Sequence, residues 1–364
     1  MRIVFVVILS FLLSPMSAQD LPKPAYTLTA RAHYGFVWNF SKDISHLATQ
    51  HMPAFELNLT GQTRGAKPWH QEYRYPQIGY SLYYFSFDPQ KPLGNSIALV
   101  VHAGKAFYRT ARTSLLWRVG CGPAWVNKRF DTHTNYRNNM ISARLNFTLN
   151  GQLNFQYHLS RRMLVNLGVG LIHISNGSLK KPNFGINLPT VHAGIGVNLS
   201  EKKDYHRYDS LPVFRRKTQV HLAVATGWKE VYPVNGPKYS LLVLNGYVER
   251  RVNRKSGVHI GADFSYDDSK RAEIRNDATL QGIANVPANY MQAGVLLGHE
   301  LYLHRLSLLT QLGVYLYDPT HLSRPYYQKF GLKYYLTEKC YVNMTMKNHL
   351  GVADWVEWGV GFRL

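Results

Sequence analysis

The segment from Leu171 to Pro189, LIHISNGSLKKPNFGINLP, holds the side chains best suited to chemistry. His173 and Ser175 stand two residues apart. On a strand, residues i and i+2 point to one face, with Cβ atoms about 7 Å apart. An imidazole so placed can reach the serine hydroxyl and take its proton as the oxygen attacks an ester. Asn187 has the same parity on the returning segment, so three polar groups converge there if no bulge intervenes. A lone His-x-Ser pair in a strand is ordinary. Its phase and its surroundings give it meaning.

The elements that must position these groups alternate with period 2, and period 3.6 is scarcely visible. Val165, Leu167, Val169 and Leu171 alternate with Asn166, Gly168 and Gly170. Val191, Ala193, Ile195, Val197 and Leu199 alternate with His192, Gly194, Gly196 and Asn198, and Val356, Trp358, Val360 and Phe362 with Glu357, Gly359, Gly361 and Arg363. Such a pattern fits a soluble sandwich with a greasy core or a transmembrane barrel with a greasy outside. Soluble strands run about 5–6 residues, whereas many of these runs reach the roughly 10 residues that cross a bilayer at a tilt. Arg118, Arg144 and Lys347 on the polar phase suit a wet lumen, and Tyr80–Tyr84 and Tyr326-Tyr327 suit interfacial girdles. These features predict an all-β fold, a transmembrane antiparallel up-and-down β-barrel.

In that barrel His173 and Ser175 continue the lipid-facing phase. A polar pair there is costly in hydrocarbon and cheaper at the interface. The connection before the strand is tight, Ser160-Arg161-Arg162, and the one after it is long, Asn176 to Leu188. Short turns belong to the periplasmic side of such barrels, so the pair is expected at the outer leaflet.

The rest of the 364 residues agrees. Residues 1–18 read as a signal peptide, with Arg2 as the positive start, Ile3–Leu13 as the apolar run and Ser17-Ala18 before the cut, although Met16 makes that cut imperfect. No later run is long and apolar enough for a membrane helix. Against 21 Asp+Glu stand 42 Lys+Arg, a formal charge of +21; a nucleic-acid partner would suit that charge, but the export signal argues against it. Cys121 and Cys340 are too few for a disulfide scaffold and fall on the lipid phase. There are 25 Tyr, 16 Phe and 7 Trp, as a barrel with aromatic belts requires.

About sixteen strands can be counted, starting near residues 26, 53, 77, 95, 113, 141, 162, 189, 217, 238, 255, 288, 305, 325, 338 and 353. The barrel region, 19–364, divides into halves 19–200 and 218–364 around a polar connecting segment, 201–217. The halves resemble each other: Leu153–Ser160 is like Phe330–Thr337, each followed by two charged residues and a Val-Asn strand. Either one large barrel or two eight-stranded ones could result, and a single barrel is the expectation because tandem membrane barrels in one chain are unusual. His349 sits on the opposite phase from His173 and has Gly351 where a serine would stand, so the second half should be catalytically silent. His192 falls on the lumen phase and reads as structural.

His173-Ile174-Ser175-Asn176, followed by Pro182-Asn183, Gly185 and Asn187, resembles the signature of the outer-membrane lipid A 3-O-deacylases, the PagL-like family, and most nearly its longer members, the acyloxyacyl hydrolases. The resemblance implies a β-barrel serine esterase of the bacterial outer membrane that removes an ester-linked hydroxyacyl chain from lipid A of lipopolysaccharide. Ser175 would be the nucleophile and His173 the general base, with Asn176, Asn183 or nearby backbone amides as the oxyanion site. Lys180 and Lys181 would suit the phosphates of lipid A. Partners would be lipopolysaccharide in the outer leaflet and the outer-membrane assembly machinery; no cofactor or metal is implied. One departure stands out: the family pattern has an acid where this chain has Asn187, twelve residues after the serine. An Asn can hold an imidazole tautomer, as in Cys-His-Asn enzymes; another carboxylate could also substitute. The competing reading is a porin-like or structural barrel carrying a relic signature, in which sixteen strands enclose a channel.

Overall fold

A computed structural model describes residues 22–49, 51–87, 92–200, 205–211 and 213–364. The segment read as a signal peptide lies outside the described residues. Each alternating segment forms an antiparallel strand. The first eight are β1 (Ala25–Phe36), β2 (His51–Gln62), β3 (Gln77–Ser86), β4 (Asn95–Arg109), β5 (Thr113–Val126), β6 (Leu145–His158), β7 (Met163–Ser175) and β8 (Ile186–Asn198). The next eight are β9 (Thr218–Glu230), β10 (Lys238–Arg251), β11 (Ser256–Asp267), β12 (Met291–Leu303), β13 (Leu306–Tyr317), β14 (Tyr326–Tyr335), β15 (Cys340–His349) and β16 (Val352–Arg363). The largest displacement from expectation is at β6, which begins at Leu145; Arg144 therefore sits exposed in the preceding connection, not in a lumen.

The chain forms two closed barrels, not the single large one expected from its length. β8 turns back onto β1, with Val197 opposite Leu28 and Ala193 opposite Ala32. β16 closes on β9, with Val360 opposite Val224. Closure satisfies every edge within eight strands, so neither unit needs the other to pair its backbone. The polar segment between them is a tether, pinned where it is described: His206 N–H donates to Arg64 O at 2.8 Å, and Tyr208 N–H to Gln71 Oε1 at 2.6 Å.

Eight strands leave an interior just wide enough for side chains to fill it, and both are filled. In the first barrel the Glu56 carboxylate accepts from Arg31 (2.8 Å), Arg118 (2.6 Å) and Ser81 (2.7 Å) and pairs with His33 at 3.0 Å. Tyr83 Oη accepts from Arg118, Asn150 and Gln152 at 2.8–3.0 Å. In the second barrel Lys333 reaches Glu300 at 2.7 Å, and Lys329 reaches Glu357 at 2.8 Å and Asp263 at 3.3 Å. Lys347, 4.0 Å from Asp263, lies under the rings of Tyr327 and Trp355. The lumen cations are thus buried against anions and aromatic faces rather than lining a wet channel, and the porin-like reading loses the wide pore it needed.

Above the Glu56 network the first barrel changes character. Ile44, Leu47, Leu93, Met140 and Ile141, carried by the long connections, pack against Ile172 and Ile174 of β7 and Ile186 and Leu188 of β8. This apolar plug anchors the inward side chains of the two strands whose outward side chains form the site.

Candidate active site

His173 lies opposite Asn187 in the β7–β8 ladder, and Ser175 is two residues farther along β7. The inward neighbours Ile172, Ile174, Ile186 and Leu188 are fully buried in the plug, which turns His173, Ser175 and Asn187 to the outer wall. His173 Nδ1 is 2.7 Å from Asn187 Oδ1, and His173 Nε2 is 2.8 Å from Ser175 Oγ. With Asn187 Oδ1 as acceptor, the imidazole proton is on Nδ1 and Nε2 is the lone-pair nitrogen facing the serine hydroxyl. Among the described residues no carboxylate bonds to His173; the chain of contacts ends at the asparagine.

Ser175 is almost completely covered, and His173 and Asn187 are half-buried. Gly185 supplies part of that cover. Its φ is +75°, and a Cβ there would lie 2.8 Å from His173 Cε1 and 3.2 Å from Ser175 Cβ. Only a residue without a side chain can lie so close to the pair in this conformation.

The loop between β7 and β8 is held by Asn176. Its amide donates to Ser142 Oγ and Lys180 O, both at 3.1 Å, and accepts from Lys180 N–H at 3.2 Å. That side chain is completely buried and committed to the loop, so it is not open to substrate as the sequence suggested. Its backbone N–H donates to Asn183 Oδ1 at 3.2 Å, leaving the Asn183 NH2 beside the serine loop as a hydrogen-bond donor. Lys180 is half-buried and its main chain closes the Asn176 ring of bonds. Lys181 is half-buried too. Burial pulls its ammonium below the usual range; Asp354 opposes that fall, Lys229 adds to it, and Glu273 and Glu230 oppose it more weakly.

The second half has no matching constellation. His349 ends β15, its Nε2 3.1 Å from Tyr315 Oη and its Nδ1 3.8 Å from Asp354. His192 is buried in the first lumen, 3.1 Å from Asn154 Oδ1, a structural contact. One cluster escaped the sequence reading: His221, Glu249 and Glu300 bring potential ligand atoms within 4.8 Å of one another inside the second barrel. Lys333 Nζ stands among them, 2.7 Å from Glu300 and 3.3 Å from His221 Nδ1, and supplies the positive charge a metal would. Cys121 and Cys340 are free thiols.

The fold defines a class, the closed antiparallel β-barrels of the outer membrane, and here one barrel carries a Ser-His pair on its outer wall. The family follows from the sequence itself. The profile "Lipid A 3-O-deacylase (PagL)" matches residues 54–205, and "Acyloxyacyl hydrolase, C-terminal domain" matches residues 218–364. The chain belongs to this lipid A deacylase family of the bacterial outer membrane, one match falling on each barrel. No curated protein matches the chain. Among solved structures, Neisserial surface protein A (NspA) is 9% identical at a TM-score of 0.33, covering 48% of this chain and 97% of its own. A mutant Rh. blastica porin is 11% identical at a TM-score of 0.20, covering 94% and 100%. The P. putida toluene transporter TodX is 11% identical at 0.19, covering 95% and 90%.

Proposed function

We propose that this protein hydrolyses an ester-linked hydroxyacyl chain of lipid A in the outer leaflet, with Ser175 as nucleophile, His173 as general base and Asn187 holding the imidazole. The observation that carries the reading is the continuous relay from Asn187 Oδ1 through both ring nitrogens to Ser175 Oγ, at 2.7 and 2.8 Å. Ser175 Oγ adds to the ester carbon while His173 Nε2 takes its proton. The tetrahedral oxyanion draws hydrogen bonds from the Asn183 NH2 and the backbone of the serine loop. Collapse expels the sugar alkoxide, which His173 protonates, and leaves an acyl-serine. Water, deprotonated by the same nitrogen, then releases the hydroxy fatty acid.

The position of the relay supports this substrate. Ser175 ends β7 at the side of the long connections, away from the tight turns, and a barrel inserted by the outer-membrane assembly machinery puts that side outward. An ester near the sugar headgroup of a lipid would meet the wall at that level. The test is mass spectrometry of lipid A from cells expressing wild type or Ser175→Ala. Loss of one hydroxyacyl chain with wild type alone is expected; identical lipid A from both would refute the reading.

A further inference from the structure

The second barrel has no catalytic constellation, yet its rim is in contact with the serine loop. On β16 the outward phase runs Val356, Trp358, Val360, Phe362. The last three are 37%, 51% and 55% exposed, as lipid-facing residues should be, whereas Val356 is 6% exposed. Glu230, on the outward phase of β9 after the exposed Trp228, is likewise buried. The turn that follows Ser175 lies against Val356 and the Glu230 main chain, while the Glu230 carboxylate accepts from Asn235 N–H of its own β9–β10 connection at 2.9 Å. Glu230 N–H donates to Ser178 O at 3.2 Å. Gly177 is so close to Val356 that a Cβ on it would lie 2.5 Å from Val356 Cγ2.

Asn176 holds one end of this turn, and the β9–β16 rim meets its middle. Gly177 and Ser178 are both left-handed, at φ +63° and +74°, and a non-glycine residue in that region needs its surroundings to hold it. The second barrel leaves room for the turn as well. Its β15–β16 connection, Leu350-Gly351, is the shortest on that side of the molecule, so little of that loop rises above β16 where the turn lies on Val356.

We propose that the second barrel is a positioning device for hydrolysis: the β9–β16 rim, through the Glu230 main chain and the Val356 side chain, fixes the Asn176–Ser178 turn and thereby the oxyanion donors beside Ser175. The link to the donors is short. Asn176 N–H, next to the serine, binds Asn183 Oδ1, so a shift of the turn moves the Asn183 amide with it. Val356 acts through the turn and touches no substrate. The inference rests on the hydrolytic reading above, and its test separates the two.

The experiment uses the purified full-length protein in detergent with lipid A as substrate. Val356→Trp overfills the contact and Gly177→Ala adds a methyl against Val356; Val360→Trp, on the same face but exposed, is the control. Misplacing catalytic groups by about 1 Å costs up to about 100-fold, so Val356→Trp should lower kcat at least tenfold, with KM and the melting temperature close to wild type. Gly177→Ala should lose activity likewise, and Gly177→Ala with Val356→Ala should regain part of it. Val360→Trp should behave as wild type. Wild-type kcat in Val356→Trp, alongside an inactive Ser175→Ala, would overturn the positioning role and leave the hydrolase reading intact. An active Ser175→Ala would overturn the hydrolase reading itself.

Discussion

Replacing Asn187 with Asp restores the acid that the family pattern carries, and its effect can be worked from the relay. The imidazole becomes positive in the transition state, and its Nδ1–H then points at an acceptor 2.7 Å away. A hydrogen bond between neutral groups contributes about 0.5–1.5 kcal/mol and one to a charged group about 1.5–3 kcal/mol. The carboxylate therefore adds roughly 1–2 kcal/mol of transition-state stabilisation, which converts to about 5- to 30-fold in kcat. Asn187 is half-buried, so the new carboxylate keeps part of its hydration and needs no second counter-charge. An aspartate can only accept, so it also locks the proton on Nδ1 and leaves Nε2 as the base. Removing the acceptor works the other way: Asn187→Ala frees the ring and should cost about 100-fold. The assay is the initial rate of hydroxy fatty acid release from lipid A by the purified variants. If Asn187→Asp falls as far as Asn187→Ala, the asparagine has been donating to Nδ1 rather than accepting from it. His173 would then be the wrong tautomer for a base, and the reasoning fails.

Other outcomes follow from the same contacts. Gly185→Ala places a methyl 2.8 Å from His173 Cε1 at φ +75°, and should cut kcat/KM at least tenfold through a displaced ring, read in the same assay. Glu56→Ala leaves Arg31 and Arg118 buried without their shared anion; a broken buried pair of this kind costs about 3–5 kcal/mol, which urea unfolding of the barrel in detergent would register. Protein reconstituted into planar bilayers should carry no porin-like current, because both lumens are filled with paired side chains; steady ion conductance would contradict that packing.

Much of the architecture was legible because a half-buried strand writes its own period into the chain. Val165–Leu171 and Val191–Leu199 alternate so regularly that strand identity, outward phase and the shared parity of His173, Ser175 and Asn187 follow without coordinates. Closure was not legible. Whether β8 pairs with β1 or with a ninth strand depends on strand tilt and stagger summed around the wall, and no local signal near Val197 encodes it. The same holds for the lumen. Lys347 and Arg118 announce a polar interior, but their anions, Asp263 and Glu56, come from strands 84 and 62 residues away in sequence, so wet and dry interiors read alike. Asn176 is a third case: its residue type suits an oxyanion donor, and only the bonds to Ser142 and Lys180 show the side chain spent on the loop. The contact between Gly177 and Val356 joins two barrels, and periodicity within either one is silent about it.

The most direct test of the account is a turnover measurement on defined substrate. Purified wild type, incubated with lipid A carrying an ester-linked hydroxyacyl chain, should release that free hydroxy fatty acid, and Ser175→Ala and His173→Ala should each release none above the uncatalysed rate. Equal release by Ser175→Ala, or none by correctly folded wild type, would contradict it.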